Sequence, residues 1–127
     1  MRAVVEPSAR HVLVVDDEEV IRTSLARFLR ARGFDVTTAE SGAAALTALQ
    51  QERFVAMLSD IRMPEMTGLE LVPKAHGLDP DLAIIMLTAV NDAPTATEAL
   101  GMGAMDYLMK PVELGDLATA LERALHK

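Results

Sequence analysis

Short, continuous apolar runs punctuate this chain, and longer stretches in which apolar residues recur every three or four positions lie between them. Continuous runs of this kind are typical of strands that are buried on both faces of a parallel sheet. They predict three strands, at residues 12–15, 54–58 and 83–87. Weaker patterns predict two more strands, at residues 34–38 and 105–108.

The stretches between these runs have helical periodicity. The first helix is indicated by apolar residues from Ile21 to Leu29, and Gly33 follows as its stop signal. Ser41 suits the N-cap of the second helix, and Pro73 is expected to kink or shorten the third. The later four helices are predicted at residues 41–51, 68–76, 94–102 and 113–126.

Five strands that alternate with five helices predict a doubly wound α/β fold, in which helices cover both faces of a five-stranded parallel sheet. The length of 127 residues fits one such domain. We assign residues 10–127 to it and residues 1–9 to a loose leader. Methionines in or beside the strands are expected to fill the core; they are Met57, Met86, Met105 and Met109.

Composition excludes several classes of function. The net charge of −7 disfavours direct binding of nucleic acid by this domain, and the absence of cysteine excludes disulfides and thiolate chemistry. No apolar run approaches the length of a membrane span, and the first ten residues lack the apolar core of a signal peptide. We therefore expect a cytoplasmic protein that has no membrane partner.

Polar residues follow four of the predicted strands. Asp16 and Asp17 end the first strand, Asp60 the third, Thr88 the fourth and Lys110 the fifth. Because the carboxyl ends of parallel strands meet at one edge of a sheet, these five side chains are expected to lie together. Three aspartates in one place would repel each other, and a divalent cation such as Mg²⁺ would offset that repulsion.

Each of these residues also has a simpler explanation. An acidic pair before a helix stabilises the helix N-terminus, and an aspartate in a polar loop is usually a turn former. Thr88 suits a strand end because it is β-branched, and Lys110 alone would be a solvated charge. Their joint occurrence at four strand ends favours a site for phosphoryl chemistry.

Four segments carry a specific resemblance: VLVVDDEE, MLSDIRMPEMTGLEL, IIMLTAV and GAMDYLMKP. With them, residues 10–126 resemble the receiver domain of two-component response regulators. The resemblance implies a flavodoxin-like strand order 2-1-3-4-5. It also implies a signalling phosphoprotein that is part of a two-component system or phosphorelay. The enzymatic activity of such a protein would be at most self-phosphorylation from small donors and self-dephosphorylation.

The same resemblance assigns roles to the strand-end residues. Asp60 would accept a phosphoryl group from a sensor histidine kinase or a histidine phosphotransfer domain. Asp60 and Asp17 would bind Mg²⁺ directly, Asp16 would bind it mainly through water, and the backbone carbonyl of Arg62 would complete the protein ligands. Thr88 and Lys110 would each hold a phosphoryl oxygen.

The resemblance also implies how the signal leaves the site. Tyr107 would be a switch aromatic that turns inward when Thr88 moves, and the Lys110–Pro111 peptide bond would be cis. The face made by helix four, strand five and helix five would then control an output domain or partner protein, or form a phosphorylation-dependent homodimer. Gly101 and Gly103 are expected to loosen the end of helix four. Its apolar residues available for contact would be Ala96, Ala99, Leu100 and Met102.

Three residues are expected to flank the phosphoryl group: Arg62, Ala89 and Val90. Ala89 is small enough to give access to the phosphorylated side chain. Val90 is apolar and cannot orient a water molecule, whereas Arg62 is long enough to cover the site or contact the phosphate. Slow self-hydrolysis is therefore expected.

Two other functions remain as alternatives. A haloacid-dehalogenase-type phosphatase uses similar residues, but its nucleophile belongs to a D-x-D pattern after the first strand, where this chain has adjacent aspartates. A receiver-like docking module that needs no phosphorylation would have little reason to keep the complete set of strand-end residues, namely Asp16, Asp17, Asp60, Thr88 and Lys110. The sequence contains no effector region, which leaves a stand-alone receiver or the front part of a longer regulator as expectations.

Overall fold

The computed structural model describes residues 10–126 and consists of a parallel sheet that is covered by helices on both faces. The strand order is β2-β1-β3-β4-β5, so the predicted fold class and strand order are confirmed. In chain order the elements are β1 (His11–Val15), α1 (Glu19–Ala31), β2 (Asp35–Ala39), α2 (Gly42–Gln51), β3 (Ala56–Asp60), α3 (Gly68–Leu78), β4 (Ala83–Thr88), α4 (Ala93–Gly101), β5 (Asp106–Met109) and α5 (Leu114–Leu125). A short 3-10 turn, Val90–Asp92, leads into α4. The proposed leader, residues 1–9, lies outside the described residues.

The sheet separates two apolar clusters, and alternate residues of its central strands point into each. On one face Leu13, Met57 and Met86 pack with buried residues of α2, α3 and α4. On the other face Val14 and Leu58 belong with buried residues of α1 and α5. Because β1, β3 and β4 are covered on both sides, their sequences are continuously apolar, which is why they were predicted from sequence.

Helix ends follow local sequence signals. Gly33 has a φ of 89° and ends α1, where its N–H donates to Arg30 O and the N–H of Phe34 donates to Leu29 O. This pair of bonds is a Schellman motif, which only a residue with positive φ closes easily. The Ser41 hydroxyl accepts a bond from the Ala44 N–H and caps α2, as predicted.

Two local predictions need correction. Helix α3 continues through Pro73 to Leu78, so the proline does not shorten it, and a kink at Pro73 stays a prediction. Gly103 has a φ of 117° and closes α4 in a second Schellman motif. Its N–H donates to Leu100 O, and the N–H of Ala104 donates to Ala99 O. Gly103 therefore terminates the helix instead of loosening it.

Two predictions of burial also need correction. Met109 is 38% exposed because β5 is an edge strand, whereas Met57 and Met86 do fill the core. In α4, Ala96 and Ala99 are fully buried against the sheet, so they are not available for contact. None of the helices within residues 10–126 is long and apolar enough to cross a membrane.

Candidate functional site

Three aspartates meet at the carboxyl edge of the sheet. Asp60 is the last residue of β3, and Asp16 and Asp17 follow the neighbouring strand β1, which pairs with β3 up to Val15 and Ser59. One carboxylate oxygen from each aspartate lies within 4.8 Å of the other two. Asp16 and Asp60 are buried, and Asp17 is exposed. The cluster therefore has a buried base and an open side.

Asp16 holds the base of this cluster. Its Oδ1 accepts a hydrogen bond of 2.9 Å from the backbone N–H of Glu18, whereas Oδ2 accepts none from any described residue. Burial raises the pKa of Asp16 above its ordinary value, although the Glu18 bond and the charge of Lys110 act against this. A buried carboxylate oxygen that accepts no hydrogen bond and lies beside two further carboxylates fits a hard divalent cation, for which Asp16, Asp17 and Asp60 supply the oxygen ligands.

Lys110 brings a positive charge to the same place. Its Nζ lies 3.0 Å from Oδ2 of Asp60 and 3.6 Å from Oδ2 of Asp16. The backbone N–H of Lys110 donates to Thr88 O, and the Lys110–Pro111 peptide bond is cis. Burial lowers the pKa of Lys110, but the hydrogen bond and charge of Asp60 outweigh burial and hold the pKa above its ordinary value. The ammonium is therefore charged and positioned for an anion.

Thr88 ends β4 beside β5. It is fully buried, and its hydroxyl donates to Ala89 O at 3.1 Å. Tyr107 lies on β5 in register with Met86 and is half-buried against the cluster that contains α3 and α4. A hydroxyl bonded only to a neighbouring backbone carbonyl among the described groups is free to change partner if a better acceptor arrives.

Close packing fixes the loop between β3 and α3. A Cβ added to Gly68 would lie 2.4 Å from Asp60 O and 2.6 Å from Met86 Cε, so only glycine allows the start of α3 to approach the end of β3 this closely. Thr67 and Glu70 form a capping box at the start of α3. The end of the loop that follows Asp60 is therefore fixed where α3 begins.

The side chain of Arg62, which was expected to cover the site or contact the phosphate, forms an ion pair with Asp92. Its Nε donates to both carboxylate oxygens of Asp92 at 2.9 Å, and Nη2 donates to Oδ1 at 2.6 Å. The guanidinium bond lowers the pKa of Asp92. The sequence analysis missed Asp92. The available signal was that both residues follow carboxyl ends of neighbouring strands, Arg62 two residues after Asp60 and Asp92 four after Thr88.

An open cavity of about 410 Å³ lies over the acidic cluster. Its lining residues are Asp17, Glu18, Asp60, Arg62, Ala89, Asn91, Asp92 and Lys110. The structure thus brings most of the predicted residues to one cavity and adds Glu18, Asn91 and Asp92, which were not predicted. The side chain of Val90 lies outside the described part of the structure. A carboxylate next to a lysine and a cation site can accept an electrophilic phosphorus.

The fold is similar to that of solved receiver domains. A response regulator receiver domain protein from Clostridium thermocellum has a TM-score of 0.88 and 30% identity, over 91% of this chain and 94% of that chain. The receiver domain of NtrX from Brucella abortus has a TM-score of 0.88 and 31% identity, over 91% of this chain and 98% of that chain.

Sequence relatives agree with this likeness. The transcriptional regulatory protein ZraR of Escherichia coli (strain K12) is 40% identical over 114 residues, which cover 90% of this chain and 26% of ZraR. The DNA-binding transcriptional regulator NtrC of the same organism is 42% identical over 114 residues, 90% of this chain and 24% of NtrC. The chain therefore spans about a quarter of the length of these curated relatives. Because the model of the response regulator receiver domain family matches residues 12–122, the chain belongs to that family.

Proposed function

We propose that Asp60 accepts a phosphoryl group from the phosphohistidine of a sensor histidine kinase or a histidine phosphotransfer domain. The observation that carries the proposal is that a carboxylate at a strand end lies 3.0 Å from a lysine ammonium and beside two further carboxylates. An oxygen of Asp60 would form a bond to phosphorus while the bond from phosphorus to the donor imidazole nitrogen breaks. The imidazole would leave with the electron pair.

The side chains around Asp60 supply what a weak carboxylate nucleophile lacks. Lys110 would hold an equatorial phosphoryl oxygen and balance its charge. Asp16, Asp17, Asp60 and the backbone carbonyl of Arg62 would hold Mg²⁺, with Asp16 mainly through water. When bound, the cation would neutralise charge on the phosphoryl oxygens. Ala89 leaves the approach to Asp60 open, because its side chain adds only a methyl group to the cavity wall.

Thr88 would carry the signal away from the site. A phosphoryl group on Asp60 offers the Thr88 hydroxyl a charged acceptor in place of Ala89 O, and charge-assisted hydrogen bonds are the stronger ones. Movement of Thr88 would leave space that Tyr107 can fill. The responding surface would be the face of α4, β5 and α5, on which Leu100, Met102 and Met109 are already exposed apolar residues.

The receiver domain would comprise residues 10–127 and would act through an output domain, a partner protein or a phosphorylation-dependent homodimer. The printed names of ZraR and NtrC describe transcriptional regulators, three quarters of whose length lies outside the match. In this protein any nucleic-acid contact would come from such a further region. A cytoplasmic location fits a histidine kinase as phosphoryl donor.

Incubation with acetyl phosphate and Mg²⁺ tests the acceptor. We expect intact-mass spectrometry to show one added phosphoryl group on the wild type and none on Asp60→Asn. An unmodified wild type would instead favour the docking module, and turnover of p-nitrophenyl phosphate would favour a phosphatase.

A thermal melt tests the metal ligands separately. Asp17 is the exposed member of the cluster, so Asp17→Asn should fold normally while binding Mg²⁺ more weakly. At a Mg²⁺ concentration about ten times the Kd, mass action stabilises the wild type by about 1.4 kcal/mol. An equal rise in Tm for both proteins would contradict the assigned cation site.

A further inference from the structure

The bond between Arg62 and Asp92 connects the two loops that border the site, and its two partners differ in their surroundings. The Arg62 side chain is 73% exposed, whereas that of Asp92 is 4% exposed. A long exposed side chain reorients at little cost, but a buried carboxylate needs a replacement partner if its cation leaves. The question is what that replacement would be.

The start of α4 supplies it. Asp92 is the N-cap residue of α4, yet within the described chain its side chain makes no capping hydrogen bond. An N-cap side chain normally accepts from the second or third helical N–H. The second helical residue here is Pro94, which has no N–H, so the Thr95 N–H is the remaining donor. While Asp92 binds Arg62, that donor lacks its cap.

We propose that Asp92 is a positioning residue with two alternative partners, and that phosphorylation of Asp60 moves it from the Arg62 guanidinium to the Thr95 N–H. The proposal rests on the proposed role of Asp60 as phosphoryl acceptor. Arg62 transfers to the phosphoryl group, and the released Asp92 carboxylate caps α4. The pair thereby connects the charge on Asp60 to the first turn of α4 by a route separate from Thr88.

The charges favour this exchange. The phosphoryl group on Asp60 would carry about two negative charges and three acceptor oxygens, in place of the single charge of the free carboxylate, in the cavity that Arg62 already lines. Guanidinium binds phosphate and carboxylate oxygens in the same bidentate manner, so the phosphoryl group competes directly with Asp92. The freed carboxylate loses a cation but gains a helix N-terminus, where the helix dipole and an N–H without a side-chain cap favour negative charge.

Hydrogen exchange at the Thr95 amide tests the second half of the exchange without any phosphoryl group. Arg62→Gln removes the competing cation, so Asp92 should cap α4 and slow exchange at Thr95 about fivefold. Arg62→Lys keeps a charge but loses the bidentate geometry, and it should fall between wild type and Arg62→Gln. If both variants exchange Thr95 as fast as the wild type, Asp92 does not move and the proposal is wrong.

Beryllofluoride with Mg²⁺, as a phosphoryl mimic, tests the first half. It should slow Thr95 exchange in the wild type but not in Asp92→Ala. Asp92→Asn should exchange Thr95 slowly with or without beryllofluoride, since asparagine caps helices and no longer holds the Arg62 guanidinium as an ion pair. Asp92→Asn should bind beryllofluoride about tenfold more tightly if the pair sequesters Arg62 in about nine molecules of ten. In the Arg62→Gln background the same substitution should bring no gain.

Removal of any nearby acid could strengthen anion binding, so a matched control is needed. Glu40 is exposed and follows β2 at the same edge of the sheet, and Glu40→Gln should change the affinity for beryllofluoride less than twofold. An equal gain in Glu40→Gln and Asp92→Asn would reduce the effect to net charge and overturn the proposal. If the wild type binds no beryllofluoride at Asp60, the proposed function fails, while the Arg62→Gln exchange rate still decides the role of Asp92.

Discussion

Helices α3 and α4 both begin shortly after a strand that ends in a site residue, but their first turns are held differently. At α3 the Thr67 hydroxyl accepts from the Glu70 N–H at 3.2 Å, and the Glu70 carboxylate accepts from the Thr67 N–H at 2.9 Å. At α4 the N-cap side chain, that of Asp92, makes no capping bond and binds Arg62 instead. One helix start is satisfied within itself, and the other depends on a residue of the neighbouring loop.

This difference separates a fixed side of the site from a responsive one. The start of α3 packs against the backbone of Asp60 and fixes its position, as the proposed transfer of a phosphoryl group to Asp60 requires. At the start of α4, Asp92 is paired with the exposed side chain of Arg62, and both residues line the cavity. Under the proposed exchange a change in the cavity is transmitted to α4 through this pair, so substitutions should affect stability at α3 and coupling at α4.

The largest expected effect on stability is at Gly68, where the start of α3 lies close to the end of β3. Gly68→Ala would place a Cβ 2.4 Å from Asp60 O, and overpacking against backbone should cost about 3 kcal/mol in the free energy of unfolding. Urea unfolding measures this cost. Gly77→Ala in the same helix is the control, because its Cβ would meet no described atom within 4 Å beyond the adjoining backbone. The control should gain up to about 1 kcal/mol from helix propensity.

Equal unfolding midpoints for Gly68→Ala and Gly77→Ala would show that α3 can move away from Asp60. In that case α3 would not be the fixed side of the site, and the contrast with α4 would fail.

The second effect concerns the other end of α4, where it meets α3. Gly103 has a φ of 117°, and a Cβ there would lie 2.9 Å from the His76 ring, so Gly103→Ala should cost about 1–2 kcal/mol. Gly101→Ala, in open space two residues earlier, should stabilise by about 0.5–1 kcal/mol. The Tm values of Gly103→Ala and Gly101→Ala, measured by thermal melts, test this difference. Destabilisation of similar size in both would contradict the distinction between a structural cap and a tolerant helix end.

These glycines show what the sequence could and could not reveal. Apolar patterns predicted all five strands and five helices, and they were clearest for β1, β3 and β4 because burial on two faces leaves continuous apolar runs. It could not reveal that Gly103 closes a cap, since the sign of φ depends on how the chain returns to β5. Met109 was misplaced for a related reason: a hydrophobic residue reads as buried, but an edge strand has no neighbour on its far side.

The site was predictable to the extent that strand ends determine it. Asp16, Asp17, Asp60, Thr88 and Lys110 follow strands directly, so the topology alone brings them together. The pairing of Arg62 with Asp92 depends on the paths of two loops that are 30 residues apart in sequence. No local pattern specifies such a contact, because many side chains at the same edge have suitable charge.

The third prediction compares a threonine at the start of α3 with a threonine inside α4. Thr67→Ala removes the N-cap of α3 and should cost about 1 kcal/mol in the free energy of unfolding. Thr97→Ala in α4 removes only a hydroxyl bond to Ala93 O within the helix, and the better propensity of alanine should make it neutral or stabilising by about 0.5 kcal/mol. Urea midpoints should therefore differ between the two variants, and identical midpoints would mean that the cap of α3 contributes nothing.

The smallest effect is the pH dependence of the same capping box. Hydrogen bonds from the Thr67 N–H and then the Thr67 hydroxyl lower the pKa of Glu70 below its ordinary value of 4.5. Because the folded-state pKa is the lower one, the contribution of Glu70 to stability is complete above the unfolded-state pKa and disappears as the pH falls through the folded-state pKa. Urea midpoints measured between about pH 6 and pH 3 should therefore fall less steeply for Glu70→Gln than for the wild type, since glutamine still accepts the Thr67 bond but does not titrate. If the urea midpoints of the two proteins fell equally steeply with pH, the charge of Glu70 would contribute nothing to the capping box. The start of α3 would then be less firmly held than its hydrogen bonds indicate, and the contrast with α4 would be smaller.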